Sequence, residues 1–201
     1  DMGTSGGGNT FINKFQGGLD FITAPIVLND DLNVRITTQI LELQGAMSGA
    51  GTLTSYGNGR LKISGDSTIS TVPLWLWNRG TNNVNNNAQV ELAATVGNAI
   101  GGAIQVGNAS LGGNGHAVLQ LQQGRVNLNQ IKDTVGVTFD GINGRWAYMK
   151  LMGGNETVES IMDLTSGAVI ENRESETLST AATLTINGTS DSRISAYLRN
   201  N

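Results

Sequence analysis

The stretch "GAGTLTSYGNGRLKISG", residues 49–65, decides how the rest of the chain is read. It sets two short clips, Thr52-Leu53-Thr54 and Leu61-Lys62-Ile63, between glycines, an asparagine and a serine. Successive side chains of a strand point to opposite faces, so Leu53, Leu61 and Ile63 are expected to look inward and Thr52 and Thr54 outward. Gly49, Gly51, Gly57, Asn58 and Gly59 suit the corners between such clips, because both residue types tolerate left-handed backbone. The stretch holds no nucleophile, acid pair or metal-ligand set. It reads as a rule for building backbone.

The same alternation recurs along the chain at Val90/Leu92, Leu119/Leu121, Val126/Leu128, Val135/Val137/Phe139, Leu184/Ile186 and Ile194/Ala196/Leu198. Helical periodicity is nearly absent. Residues 85–97, "NNNAQVELAATVG", are alanine-rich, yet Val90 and Leu92 alternate and favour a strand. Short strands separated by turn pairs such as Asn58-Gly59, Gly112-Gly113, Asn143-Gly144 and Asn187-Gly188 imply an all-β chain.

Composition narrows the class further. Gly 28 and Asn 22 make up about a quarter of 201 residues, while charged residues are only 14% against roughly 25% in an average domain. A net charge of −4 offers no long-range attraction to nucleic acid or anionic lipid, whose readers cluster Lys and Arg. Cysteine is absent, which removes thiolate chemistry and Cys-based metal sites. No run approaches the roughly 18 apolar residues of a membrane helix, so no membrane span is expected in this segment.

Among all-β architectures, spacers of three to six residues and very short strands favour a β-solenoid over a hairpin-built sandwich or barrel. In a solenoid each repeat buries its apolar face only against its neighbours. At roughly 20 to 25 residues per pass, the chain would make on the order of eight to ten passes. Stacked asparagines at the corners are expected to form amide ladders. The whole chain, residues 1–201, is read as one solenoid segment of a longer repeat protein.

The stretch "MSGAGTLTSYGNGRLKISGDSTIS", residues 47–70, resembles the autotransporter-associated β-strand repeat of bacterial surface proteins. Gly49, Gly51, Thr52, Leu53 and Thr54 match its Gly-x-Gly-Thr-Leu-Thr clip; Ser55-Tyr56 stand where a further apolar residue is usual, and the preceding Lys is missing. Residues 103–200 resemble a longer module of giant exported repeat proteins of planctomycete and verrucomicrobial type. Together the two cover about two-thirds of the chain. The resemblance implies a right-handed parallel β-helix, extracellular or at the cell surface, and it carries no catalytic, cofactor or metal residues.

The residues themselves offer little chemistry. His116 is the single histidine and reads as a turn residue before a strand. Asp30 and Asp31 are adjacent and face opposite sides unless a turn brings them together. Glu171, Glu174 and Glu176, interleaved with Arg173, read as a solvated edge, and so do Glu156 and Glu159. No catalytic residue, cofactor or metal is assigned.

Aromatic residues give the clearest hint of recognition. In "VPLWLWNRG", Val72, Leu74 and Leu76 share one face and leave Pro73, Trp75 and Trp77 on the other; Trp146 and Tyr148 likewise oppose Ala147, Met149 and Leu151. Trp75, Trp77, Trp146 and Tyr148 are therefore candidate interaction residues for a glycan or another surface ligand. The chain closes on an alternating strand, "SAYLRNN", with no polar capping element, so the expectation is either that the native protein continues or that another subunit covers the open solenoid end by homo-association. The expected function is a structural and adhesive stalk or fibre module. A polysaccharide lyase or hydrolase on the same fold would instead need acids, with Arg35 or Arg60, on one exposed face. A phage or viral fibre would need interlocked trimers.

Overall fold

Short alternating clips become short strands that pair with clips one repeat away, and nowhere with their immediate chain neighbours. The computed structural model describes residues 10–77, 87–111, 115–123, 129–142, 144–172 and 180–199. The first pass is β1 (Thr10–Lys14), β2 (Leu19–Ile22) and β3 (Ile26–Leu28). The second is β4 (Leu32–Ile36), β5 (Ile40–Leu43) and β6 (Met47–Gly49). The third is β7 (Leu53–Tyr56) and β8 (Arg60–Ile63), the fourth β9 (Leu74–Leu76) and β10 (Ala88–Leu92), the fifth β11 (Ile104–Val106) and β12 (Ala117–Leu121). The sixth is β13 (Gly136–Phe139), β14 (Ala147–Lys150) and β15 (Glu156–Val158); the seventh is β16 (Ser160–Asp163), β17 (Ala168–Glu171) and β18 (Leu184–Ile186). β19 (Tyr197–Arg199) follows.

Every strand pair is parallel. One sheet runs β1-β4-β7-β9-β11-β13-β16, a second runs β2-β5-β8-β10-β12-β14-β17-β19, and two small sheets, β3-β6 and β15-β18, occupy the third position of a pass. The described residues contain no helix, and none therefore is long and apolar enough to cross a membrane. This arrangement of parallel strands in stacked sheets is consistent with a β-solenoid. Residues 88–92, the ambiguous alanine-rich segment, are strand β10. Val126, Leu128, Gly112-Gly113, Asn143, Arg173, Glu174 and Glu176 lie outside the described residues.

Repeat length is less regular than expected. Leu32, Leu53 and Leu74 pair in register at intervals of 21 residues, but Leu74 pairs with Ile104 and Ile104 with Val137, intervals of 30 and 33. The extra residues fall in connections between strands, where length costs little as long as register is kept.

In-register pairing stacks like on like. Leu32, Leu53, Leu74, Ile104, Val137 and Ile161 form one inward column, and Leu41, Leu61, Val90, Leu119, Met149 and Ile170 another. Both columns belong to one continuous buried core. Ala88, Ala117, Ala147 and Ala168 make a third, of minimal volume. Ser55 takes an inward place between Val34 and Leu76, buried in spite of its hydroxyl. Thr54 faces outward as expected yet is only 4% exposed, in register with Trp75 on the next pass.

The clip glycines are explained by the neighbouring pass. Gly49 has φ +112, and a Cβ there would strike the Leu28 carbonyl; a Cβ at Gly51 would strike that of Asp30. Thr52 N–H then donates to Asp31 Oδ1 (2.8 Å), which fixes the corner. Gly49→Ala is therefore expected to cost about 2–4 kcal/mol, from left-handed strain plus forced separation of two passes. Gly18→Ala, where a Cβ meets nothing within 4 Å, should be nearly silent in the same urea unfolding measurement.

Candidate functional site

The outward face of the second sheet carries a row of alternating charge. Glu42, Lys62, Glu91, Gln120, Lys150, Glu171 and Arg199 stand in one register column, one residue per pass. Lys62 Nζ lies 3.3 Å from Glu42, Arg60 donates to Glu91 at 2.7 Å, and Gln120 donates to the same carboxylate at 3.1 Å. Glu171 is held from both sides: Arg199 donates to Oε2 (2.8 Å), and Lys150 Nζ stands 3.0 Å from Oε1 as an ion pair. Burial pushes the Glu42 carboxyl up, but the Ser64 hydroxyl at 2.7 Å and the Lys62 charge together hold it below the usual carboxylate range.

Glu171 is only 2% exposed, so it is no solvated edge residue, contrary to expectation. A carboxylate so covered persists because two cations face it; without them its desolvation would cost several kcal/mol. Glu91 and Glu42 are buried in the same way. The acids of this face are thus directed at neighbours one pass away.

Among the described residues, no strand occupies the third position of a pass between β8 and β9, β10 and β11, or β12 and β13, and side chains take over pairing there. Gln130 Oε1 accepts from Ala94 N–H (2.7 Å), and its amide donates back to the Ala94 carbonyl (3.2 Å). The carboxyl of Glu156 accepts from Gln130 N–H (2.8 Å) and Ile131 N–H (3.2 Å). Asn98 donates to the carbonyls of Asn129 and Ile131, at 3.0 and 3.1 Å. These asparagines of the described residues engage backbone of an adjacent pass instead of the expected amide partner: Asn98 donates to it, whereas Asn155 accepts from Thr183 N–H and Asn172 from Gly153 N–H, both at 2.8 Å.

Glu156 was expected on a solvated face but points inward at 1% exposure. Burial pushes its carboxyl up to about 8, against the lowering effect of its backbone donors. Glu159 stays outside, where the Ser160 and Ser190 hydrogen bonds lower it. Asp31 caps the Thr52 corner. Among the described residues, no group of three or more His, Cys, Asp or Glu is placed to hold a metal.

His116 is a packed residue and not an exposed turn residue. Its Nδ1 accepts from Trp146 N–H (3.0 Å), and its ring meets Tyr148 edge-on at 5.3 Å. Burial lowers its pKa, with the Lys150 charge acting in the same direction. The imidazole is thus kept neutral as an acceptor between two passes.

The four candidate aromatics fall on two sheets. Trp146 and Tyr148 lie on the second, with Trp146 edge-on to Tyr197 at 5.4 Å and Lys150 over Tyr148 at 5.6 Å. Trp75 and Trp77 lie on the first, stacked at 6.2 Å with a 29° tilt, and Tyr56 continues the row 6.5 Å from Trp77. Tyr56 was missed by sequence reading, although its place after Ser55 on an outward position was available. Outward positions within the first sheet's strands carry no acid: Phe11, Asn33, Thr54, Trp75, Gln105, Thr138 and Met162 form one column, and Asn13, Arg35 and Tyr56 the next.

At the ends of the stack the column pattern changes. In the first pass Lys14 and Asp20 occupy the register positions of Ile36 and Leu41 and form an ion pair with each other. In the last strand Leu198 holds an inward register position at 68% exposure. No family model, curated protein or solved structure matches this chain.

The folded chain keeps the Glu156 proton up to about pH 8, whereas the unfolded chain releases it near 4.5. Its contribution to stability is thus complete below pH 4.5 and declines as pH rises to 8, by up to about 1.4 kcal/mol per unit. Glu156→Gln removes this titration but turns an amide N–H toward a backbone N–H, at a cost of about 1–3 kcal/mol. Urea unfolding should show the wild type ahead at pH 5, with the gap closing or reversing by pH 8. A gap constant across that range would mean that Glu156 is ionised throughout.

Proposed function

We propose that this chain is a non-enzymatic structural and adhesive module, a right-handed parallel β-helix serving as a stiff stalk or fibre segment of an exported bacterial surface protein. The observation that carries the reading is the charged column of the second sheet, whose polar groups are engaged along the stacking direction, parallel to continuous backbone ladders. Such a face resists bending and shear and offers little to a substrate. The right-handed form is supported by the strong bias of parallel crossovers toward that hand. Export rests on the resemblance of residues 47–70 and 103–200 to autotransporter-associated repeats. Homo-association would use exposed apolar side chains such as Tyr197 and Leu198.

Arg35 and Arg60, which a polysaccharide-processing enzyme would gather beside acids, stand on different sheets, and Arg60 is engaged by Glu91. That alternative draws no support from these placements.

Incubated with a panel of neutral and acidic polysaccharides, the protein should generate no new reducing or unsaturated ends, and antibody to it should label intact cells of the source organism. Turnover that disappears when a single carboxylate is neutralised would overturn the reading, as would a trimer of interlocked chains by light scattering.

A further inference from the structure

The outward face of the first sheet differs in kind from that of the second. Its column Asn13, Arg35, Tyr56 is continued by Trp77, whose N–H donates to the Ser55 carbonyl (2.9 Å) and so keeps the register of the next pass. Phe15, two residues beyond Asn13 on the first pass, stands beside the line, with the Arg35 guanidinium 5.6 Å from its ring centroid. At about 4.8 Å per pass, the line from Asn13 to Trp77 spans three intervals, about 14 Å. Trp75 flanks it at 39% exposure, and Phe15 is 53% exposed.

Arg35 is the telling member. It is exposed, and among the described residues no carboxylate pairs with it, whereas Arg60, Lys62, Lys150 and Arg199 are all paired. The strands of its face hold no acid to compensate it. A row of partly exposed rings with one uncompensated guanidinium matches a chain of pyranose rings bearing carboxylates: the rings stack, and the guanidinium takes a carboxylate as a forked pair.

We propose that the first sheet's outward face binds a uronate-bearing polysaccharide lying along the stack, with Trp75, Trp77 and Tyr56 under the sugar rings and Arg35 on a carboxylate. Nucleic acid, which also stacks on aromatics, is disfavoured because its affinity depends on many cations along the strand, whereas Arg35 is the cation beside these rings and Arg193, bridged to Met162, lies several passes away. The proposal rests on the adhesive reading and names its ligand class. It asks for binding without turnover, so its failure leaves the structural stalk intact, while cleavage of the polymer would sink that reading instead.

The test is binding of the intact chain to soluble polygalacturonate, followed by tryptophan fluorescence and calorimetry. Ionic strength is held at 0.15 M, where a Debye length of about 8 Å screens the net charge. Saturable binding is expected, weakened about tenfold by Arg35→Gln. That exposed side chain can be changed without disturbing the core. Trp75→Ala should weaken binding by a similar factor, and the esterified, uncharged polymer should bind the wild type about as weakly as the acid polymer binds Arg35→Gln. Absence of saturable binding overturns the proposal. So does binding indifferent to Arg35→Gln, or equal affinity for the charged and esterified polymers.

Discussion

Parallel, in-register pairing places each side chain directly over its counterpart one pass away, about 4.8 Å distant. Everything else in the structure answers to that distance. Apolar residues stack without difficulty, so Leu32, Leu53 and Leu74 repeat one another. Alanines stack in the same way, as at Ala88, Ala117, Ala147 and Ala168. Like charges at that spacing would repel in a poorly solvated setting, and the second sheet avoids this by alternation: Glu42, Lys62, Glu91, then Gln120, Lys150, Glu171 and Arg199.

Where backbone pairing lapses, the same spacing is kept by side chains that imitate it. The Gln130 amide presents one donor and one acceptor to Ala94 much as a strand would. The Glu156 carboxyl presents two acceptors to consecutive N–H groups of the pass before it. A buried orphan N–H costs about as much as a lost hydrogen bond, so these residues are part of the fold's backbone accounting. The third side of a pass thereby accepts irregular lengths of chain without opening the core.

Much of this was legible in the sequence. Period-two alternation identified β8, β10, β12 and β13, and it separated the inward Leu74 and Leu76 from Trp75. The outward stacking of Trp75 and Trp77 followed from the same rule. What was not legible depends on register between distant residues. Neither Glu156, between Asn155 and Thr157, nor Glu171, between Ile170 and Asn172, reveals its place locally, and only pairing shows that one turns inward and the other meets two cations. His116 looked like a turn residue because its acceptor role depends on Trp146, thirty positions away. Pass lengths beyond Leu74 were likewise hidden, since loops that keep register leave no periodic trace.

The alternating charge column also constrains how such a chain can change over time. Interior members stand between two others, so reversing a charge flanked by two opposite ones, such as Lys62, sets it against both neighbours. A lone reversal at Lys62 would leave Glu42 and Glu91 facing a third carboxylate across one strand spacing. Tolerated drift along the column therefore proceeds by neutral intermediates, the part Gln120 plays between Glu91 and Lys150. Related sequences should carry correlated substitutions at intervals of one pass, a memory of spatial order written in positions 20 to 30 residues apart.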